Sequence, residues 1–150
     1  MNMKSALVFV LFFVVSVSSL HGQIVAAVES VLTRQSMAWN RGDIDGYMQE
    51  YWKSDSLLFT SGGNIERGWE KTREKYKAKY NSPEKMGILK FSNLEVTPLS
   101  KTSAWVFGHW ELKRAKDAPG GVFTLILRKL PDGWKIVHDH TSMGASKNEK

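Results

Sequence analysis

From residue 88 to residue 142 the chain repeats one pattern four times: a run rich in β-branched and aromatic residues, then a short turn signal. The runs are 88–98, 103–113, 121–130 and 134–142, broken at Pro98-Leu99-Ser100-Lys101, Asp117-Ala118-Pro119-Gly120 and Pro131-Asp132-Gly133. Breaks that short join antiparallel neighbours, because a parallel return needs a crossover of about a dozen residues or more. Asp132-Gly133 is a strong hairpin cue. A meander of strands therefore fills the second half of the chain, and the first half must cover its apolar face.

That first half is helical. Ile24, Ala27, Val28, Val31, Gln35, Ala38 and Trp39 recur at three- and four-residue steps, which predicts an amphipathic helix over 24–41 stopped by Gly42. Asp43 caps a second helix over 44–52, with Ile44, Tyr47, Met48, Tyr51 and Trp52 as its apolar steps. Residues 57–60 read as a strand ending at Gly62-Gly63, with Glu66 in the turn beyond it. Gly68 then opens a third helix over 69–80, ended by Asn81-Ser82-Pro83. Helices followed by a run of strands imply an α+β domain: three N-terminal helices packed on a strongly curved, mostly antiparallel sheet.

The first residues stand apart. Lys4 precedes an almost purely apolar run, 6–17, and then the polar stretch 18–23, the order of a secretory signal peptide. The apolar core falls short of the roughly 20 residues that span a bilayer. The reading is a signal peptide over 1–22, one domain over 23–145, and a disordered tail over 146–150. Cysteine is absent, which excludes disulfides, thiol catalysis and a lipid-anchored leader. An exported domain without disulfides suits a bacterial periplasm or medium, where its core alone must hold it together.

The net charge of +6 raises the question of an anionic partner. Its lysines and arginines are interleaved with glutamate along 71–79 and 113–116, with no stacking motif beside them, so the expectation is a solvated face and no nucleic acid. No membrane contact is expected once the leader is cut.

Three stretches carry a resemblance. The run Ala38-Trp39-Asn40-Arg41-Gly42-Asp43-Ile44-Asp45-Gly46 resembles the helix-to-helix junction of SnoaL-like domains. Asp55-Ser56-Leu57-Leu58-Phe59, with Gly63 and Gly68, looks like their first strand and third helix. The ending 127–142, with its final His140-Thr141-Ser142, is similar to their last hairpin. These domains belong to the nuclear transport factor 2-like superfamily, which includes ketosteroid isomerase. The resemblance implies a cystatin-like cone with an internal pocket, and dimerisation through the sheet is common there. It does not imply one activity, because the fold hosts isomerases, dehydratases, cyclases and transport proteins.

Strand alternation across 134–142 places Trp134, Ile136, His138, His140 and Ser142 on one face and Lys135, Val137, Asp139 and Thr141 on the other. The first set holds the bulky apolar residues, so it is expected to line the pocket. His140, with His138, is then the candidate acid–base; the alternative is that His140 and Ser142 bond loop backbone and close the cone. Tyr51, Trp69, Tyr76, Trp110 and Ser142 are the expected ligand contacts. An isomerase would need a carboxylate raised by burial. Of Glu66, Glu111 and Asp139, none matches the base of ketosteroid isomerase, and Asp139 takes the outward phase, so that mechanism is not carried over. A metal needs three convergent ligands; His109 could join His138 and His140 only from a strand face left open, so no metal and no cofactor are expected. The expected protein is an exported binder of a small apolar or aromatic molecule, acting as a homodimer. The alternatives are a cofactor-independent isomerase, lyase or hydrolase, and a dimeric interaction module.

Overall fold

A computed structural model describes the backbone of residues 3–144 and the side chains of residues 20–144. The leader expected over 1–22 lies mostly outside the described side chains, and the tail expected over 146–150 lies outside the described residues.

The expected α+β architecture is present. Helix α1 (Met3–Asn40) starts far ahead of residue 24, with no break at 22. Helix α2 (Ile44–Met48) is shorter than expected because the chain turns at Gln49–Tyr51 to pair with the sheet. Asp43 caps it, accepting a hydrogen bond from the Gly46 amide at 2.7 Å. Two hairpin strands, β1 (Leu58–Ser61) and β2 (Asn64–Arg67), precede α3 (Trp69–Lys79) and the single turn α4 (Pro83–Met86). Four long strands follow: β3 (Ile88–Ser100), β4 (Ser103–Lys113), β5 (Gly120–Leu130) and β6 (Gly133–Met143).

Strand β2 corrects the expected turn. Gly62 and Gly63 both have positive φ, 56° and 80°, the left-handed pair of a two-residue hairpin. Glu66 is therefore a strand residue paired with Phe59, and its carboxylate faces Lys75 at 3.6 Å. The sheet order is β2-β1-β6-β5-β4-β3, antiparallel except where β1 runs parallel to β6. Pro98 is accommodated because β3 is an edge strand.

The inner face of the sheet is set by burial. Ala104, Val106 and Leu112 on β4, and Phe123, Leu125 and Leu127 on β5, are buried together with Val28, Val31, Leu32 and Trp39 of α1. Burial of that many apolar chains is the main stabilising term. Trp110 therefore looks inward, and His109 looks out.

Asn40, the last residue of α1, joins the helix layer to the sheet. Its side-chain amide donates to the Leu89 carbonyl at 3.0 Å and accepts from the Leu89 N–H at 2.7 Å, pairing with β3 as a strand would. Asn40→Ala should lower stability by about 1–3 kcal/mol, since two part-buried backbone groups lose partners. A urea titration showing an unchanged midpoint would contradict this account.

Candidate functional site

Helices and sheet do not close completely. Between them lies a cavity of about 450 Å³. Its buried wall is aromatic: Trp39 meets Tyr47 at 5.2 Å and Tyr80 at 4.7 Å, Tyr47 meets Tyr76 at 5.4 Å, and Tyr76 meets Phe59 at 5.8 Å between ring centroids. Gly108 on β4 leaves the space that the Phe123 ring occupies, since a Cβ there would come within 2.6 Å of its Cζ. A second hollow, of about 920 Å³, is walled by Asn40–Asp45, Ser82–Glu84, Met86 and the end of β4. It contains none of the buried hydroxyl and carboxyl groups described next.

The titratable side chain that β6 puts in the cavity wall is an acid rather than an imidazole. Asp139 is buried in its wall. The Tyr51 hydroxyl donates to Asp139 Oδ2 at 2.7 Å, and the Thr141 hydroxyl donates to Oδ1 at 2.8 Å. Tyr51 and Tyr47 share a hydrogen bond between hydroxyls at 3.2 Å. Burial pushes the Asp139 carboxyl up to about 6, outweighing the two hydroxyl bonds and the nearby His140, which all pull it down. Burial likewise raises the phenols of Tyr47, Tyr51 and Tyr76, so they remain donors at neutral pH.

Tyr51 is aimed by the backbone on both sides of it. The Ile136 N–H donates to the Glu50 carbonyl at 3.0 Å, and the Trp52 N–H donates to the Ile136 carbonyl at 2.9 Å. Arg34 of α1 clamps the Glu50 carboxylate with a two-pronged bond, Nε to Oε1 at 2.7 Å and Nη2 to Oε2 at 2.8 Å. Helix α1, the Glu50–Trp52 segment and β6 thus hold the Tyr51–Asp139 pair in register.

The expected face of β6 is corrected here. Leu127 pairs with Ile136 but Ile126 pairs with His138, so Val137 is an extra residue, a β-bulge. Alternation holds up to Ile136 and inverts beyond it. Trp134 and Ile136 point inward as expected, although into the core rather than the cavity. Past the bulge, Asp139 and Thr141 line the cavity, while His138, His140 and Ser142 face outward beside Ile126, Thr124 and Val122. His138 is held below its usual value first by partial burial and then by His140, on that outer face. Ser142 meets the cavity wall through its carbonyl, which accepts from the Trp110 indole at 3.1 Å.

Among the other expected contacts, Tyr51, Tyr76 and Trp110 line the cavity. Trp69 does not. Its indole donates to the Met48 carbonyl at 2.8 Å, with Lys53 and Arg73 over its ring, so it ties α3 to α2. Glu111 is exposed on the outer face of β4. Among the described residues no group of three metal-ligating side chains converges. The residue that strand phase mis-assigned is Asp139; the sole hint of it was a carboxylate among the β-branched and aromatic residues of the final strand.

A bent sheet, a helix layer and an aromatic cavity around a buried carboxyl define the class of small α+β pocket domains. The chain belongs to the SnoaL-like domain family, which matches residues 28–146. It is similar to an NTF-2 like protein of unknown function from Shewanella oneidensis MR-1, with 44% identity over 79% of this chain and 98% of that one, at a TM-score of 0.76. A ketosteroid isomerase-like protein from Erwinia carotovora atroseptica SCRI1043 shares 21% identity over 79% of this chain and 94% of its own, at a TM-score of 0.62. A cystatin-like fold protein from Burkholderia xenovorans LB400 shares 22% over 81% and 92%, at 0.64. The last two show the fold alone. No curated protein matches the chain.

Proposed function

We propose that this domain binds a small, mostly apolar or aromatic molecule in its cone, with the Tyr51–Asp139 pair meeting a polar group of that molecule. The observation that carries the reading is an aromatic cavity of about 450 Å³ with a hydrogen-bonded buried carboxyl in its wall. Apolar walls supply affinity and a few convergent polar groups fix orientation. Steroid-like, polyketide-like and aromatic carbonyl compounds are the panel to titrate, read through the fluorescence of Trp39 and Trp110. Tyr51→Phe should weaken a carbonyl-bearing binder about tenfold, the loss of one hydrogen bond to the pair. Saturation by none of the panel would refute the proposal.

A second reading, cofactor-independent acid–base chemistry, is favoured by one observation: a buried carboxyl lines the cavity, and burial pushes it up to about 6, where it can take a proton and return it. It replaces His140, which faces away from the cavity. A bound ketone should then exchange its α-hydrogens with heavy water faster on the protein than free. The rate should be level above about pH 6 and fall about tenfold per unit below it, because the ionised carboxylate is the base. Equal exchange by Asp139→Asn would remove this reading and leave binding. Export belongs to the same proposal and rests on the apolar run 6–17 behind Lys4; cell fractionation tests it.

A further inference from the structure

Two buried donors among the described residues have no hydrogen-bond partner, Gln35 Nε2 and Arg114 Nε, and both residues line the aromatic cavity. They sit at different depths. Gln35 lies on α1 between Leu32 and Trp39, is 1% exposed, and belongs to the buried wall. Arg114 follows β4, lines both the aromatic cavity and the second hollow, and has a side chain 25% exposed. Its carboxylate neighbour, Asp117, stands at 3.7 Å from Nη1, too long for a hydrogen bond, so the guanidinium fork is not filled. Two further cations belong to the same lining, Lys75 and Lys79, both on α3 and both exposed. Lys75 meets Glu66 at 3.6 Å, and the Lys79 ammonium stands over the Tyr80 ring at 5.1 Å.

An unpartnered donor asks for an oxygen acceptor, and a mouth whose three cations face one lining carboxylate, Asp117, keeps a positive excess that favours a negative charge. The aromatic wall between asks for an apolar body. A neutral ligand would use the wall and Gln35 but leave the Arg114 Nε donor without an acceptor. A cation would meet repulsion at the mouth. Resting on the binding reading above, we infer that the ligand is an apolar acid. Its carboxylate lies at the mouth on Arg114, flanked by Lys75 and Lys79; its body fills the cavity; an oxygen of that body accepts from Gln35. A planar carboxylate matches the two-pronged geometry of a guanidinium better than it matches an ammonium.

The test uses three acid and methyl-ester pairs on one-, two- and three-ring bodies: benzoate, 2-naphthoate and anthracene-2-carboxylate. Titrations of the full chain are run at roughly pH 8, where both the acids and Asp139 are ionised. The best-fitting acid should bind about tenfold more tightly than its ester, and raising the salt from about 0.05 to about 0.5 M should shrink that preference. Arg114→Gln should bring the pair within about twofold of each other. Lys75→Gln with Lys79→Gln changes two exposed side chains, which makes it the safeguard if Arg114→Gln fails to fold; it should cut the preference to about threefold. Gln35→Met should weaken 6-hydroxy-2-naphthoate and its methyl ester alike, by about fivefold, and leave the oxygen-free naphthoate pair within about twofold, because its donor reads an oxygen on the body and not the charge. An ester that binds as tightly as its acid would overturn the acid inference while leaving the cavity reading standing. Failure of every acid and every ester to bind would overturn both.

Discussion

Asp139→Asn is expected to make the protein more stable at neutral pH and to flatten its stability between pH 4 and pH 7. The folded carboxyl titrates at about 6 against an ordinary 3.8, so the folded state favours the protonated form. The sign follows from that order. Below about pH 4 the group is neutral in both states and costs nothing; as pH rises through 6 the folded chain must hold a buried charge. The loss comes to about 3 kcal/mol once pH passes 7, taken from the shift at 1.36 kcal/mol per unit. Asparagine has the same shape and keeps hydrogen-bonding contact with Tyr51 and Thr141 without the charge. Urea titrations at several pH values would show the variant and the wild type together near pH 4 and diverging above it. A wild type that gains stability relative to the variant as pH rises would mean that Tyr51 and Thr141 outweigh burial. Sites kept at a cost to stability are a common mark of function.

Trp39→Ala should be the most damaging single change in the described core. The indole is 3% exposed, touches the rings of Tyr47, Tyr76 and Tyr80, and donates to the Met86 carbonyl at 3.2 Å. Large-to-small changes at such sites cost about 3–5 kcal/mol, from lost transfer energy and the void left behind. For a domain with about 5–15 kcal/mol in total, that is a large share. The urea midpoint should fall by roughly 2–3 M. Trp39→Phe keeps the ring contacts but strands the Met86 carbonyl, and should cost about half as much. A midpoint shift below about 0.5 M for Trp39→Ala would show that the aromatic wall carries little of the stability.

Most of the fold was legible from residue pattern. Alternating β-branched and aromatic residues with short turns marked β3 to β6 to within a few residues, because those strands are long and each is bounded by a turn. The apolar steps of α1 mark Val28, Val31, Gln35 and Trp39 as its inward face, and all four are buried. Strand β2 was missed because Asn64-Ile65-Glu66-Arg67 is an edge strand with little buried surface and so shows no apolar alternation. Only the Gly62-Gly63 pair announced it.

The site was less legible, for a physical reason that lies in β6. Counting by twos along Trp134, Ile136 and His138 assumes an unbroken strand. The bulge at Val137 arises where β6 changes neighbours, from the Glu50–Trp52 segment to β1, and that change depends on chain segments some 80 residues away. No local preference of Val137 reports it. Tyr51, Tyr76 and Trp110 were found because bulky aromatics on inward faces end up near any internal space. Asp139 was lost because one uncounted residue moved it through the sheet.

That uncounted residue also makes the pocket wall a two-position register. The last strand carries an acid-and-hydroxyl row, Asp139 and Thr141, and an imidazole row, His138, His140 and Ser142, on opposite sides. Straightening the strand with Val137 kept in the ladder would exchange them, turning the cavity wall from acidic to basic without substituting a single side chain, whereas deleting Val137 would remove the bulge and leave each row where it is. The polarity of the wall is thus set by whether one residue is absorbed as a bulge, and not by the identity of any side chain in the wall.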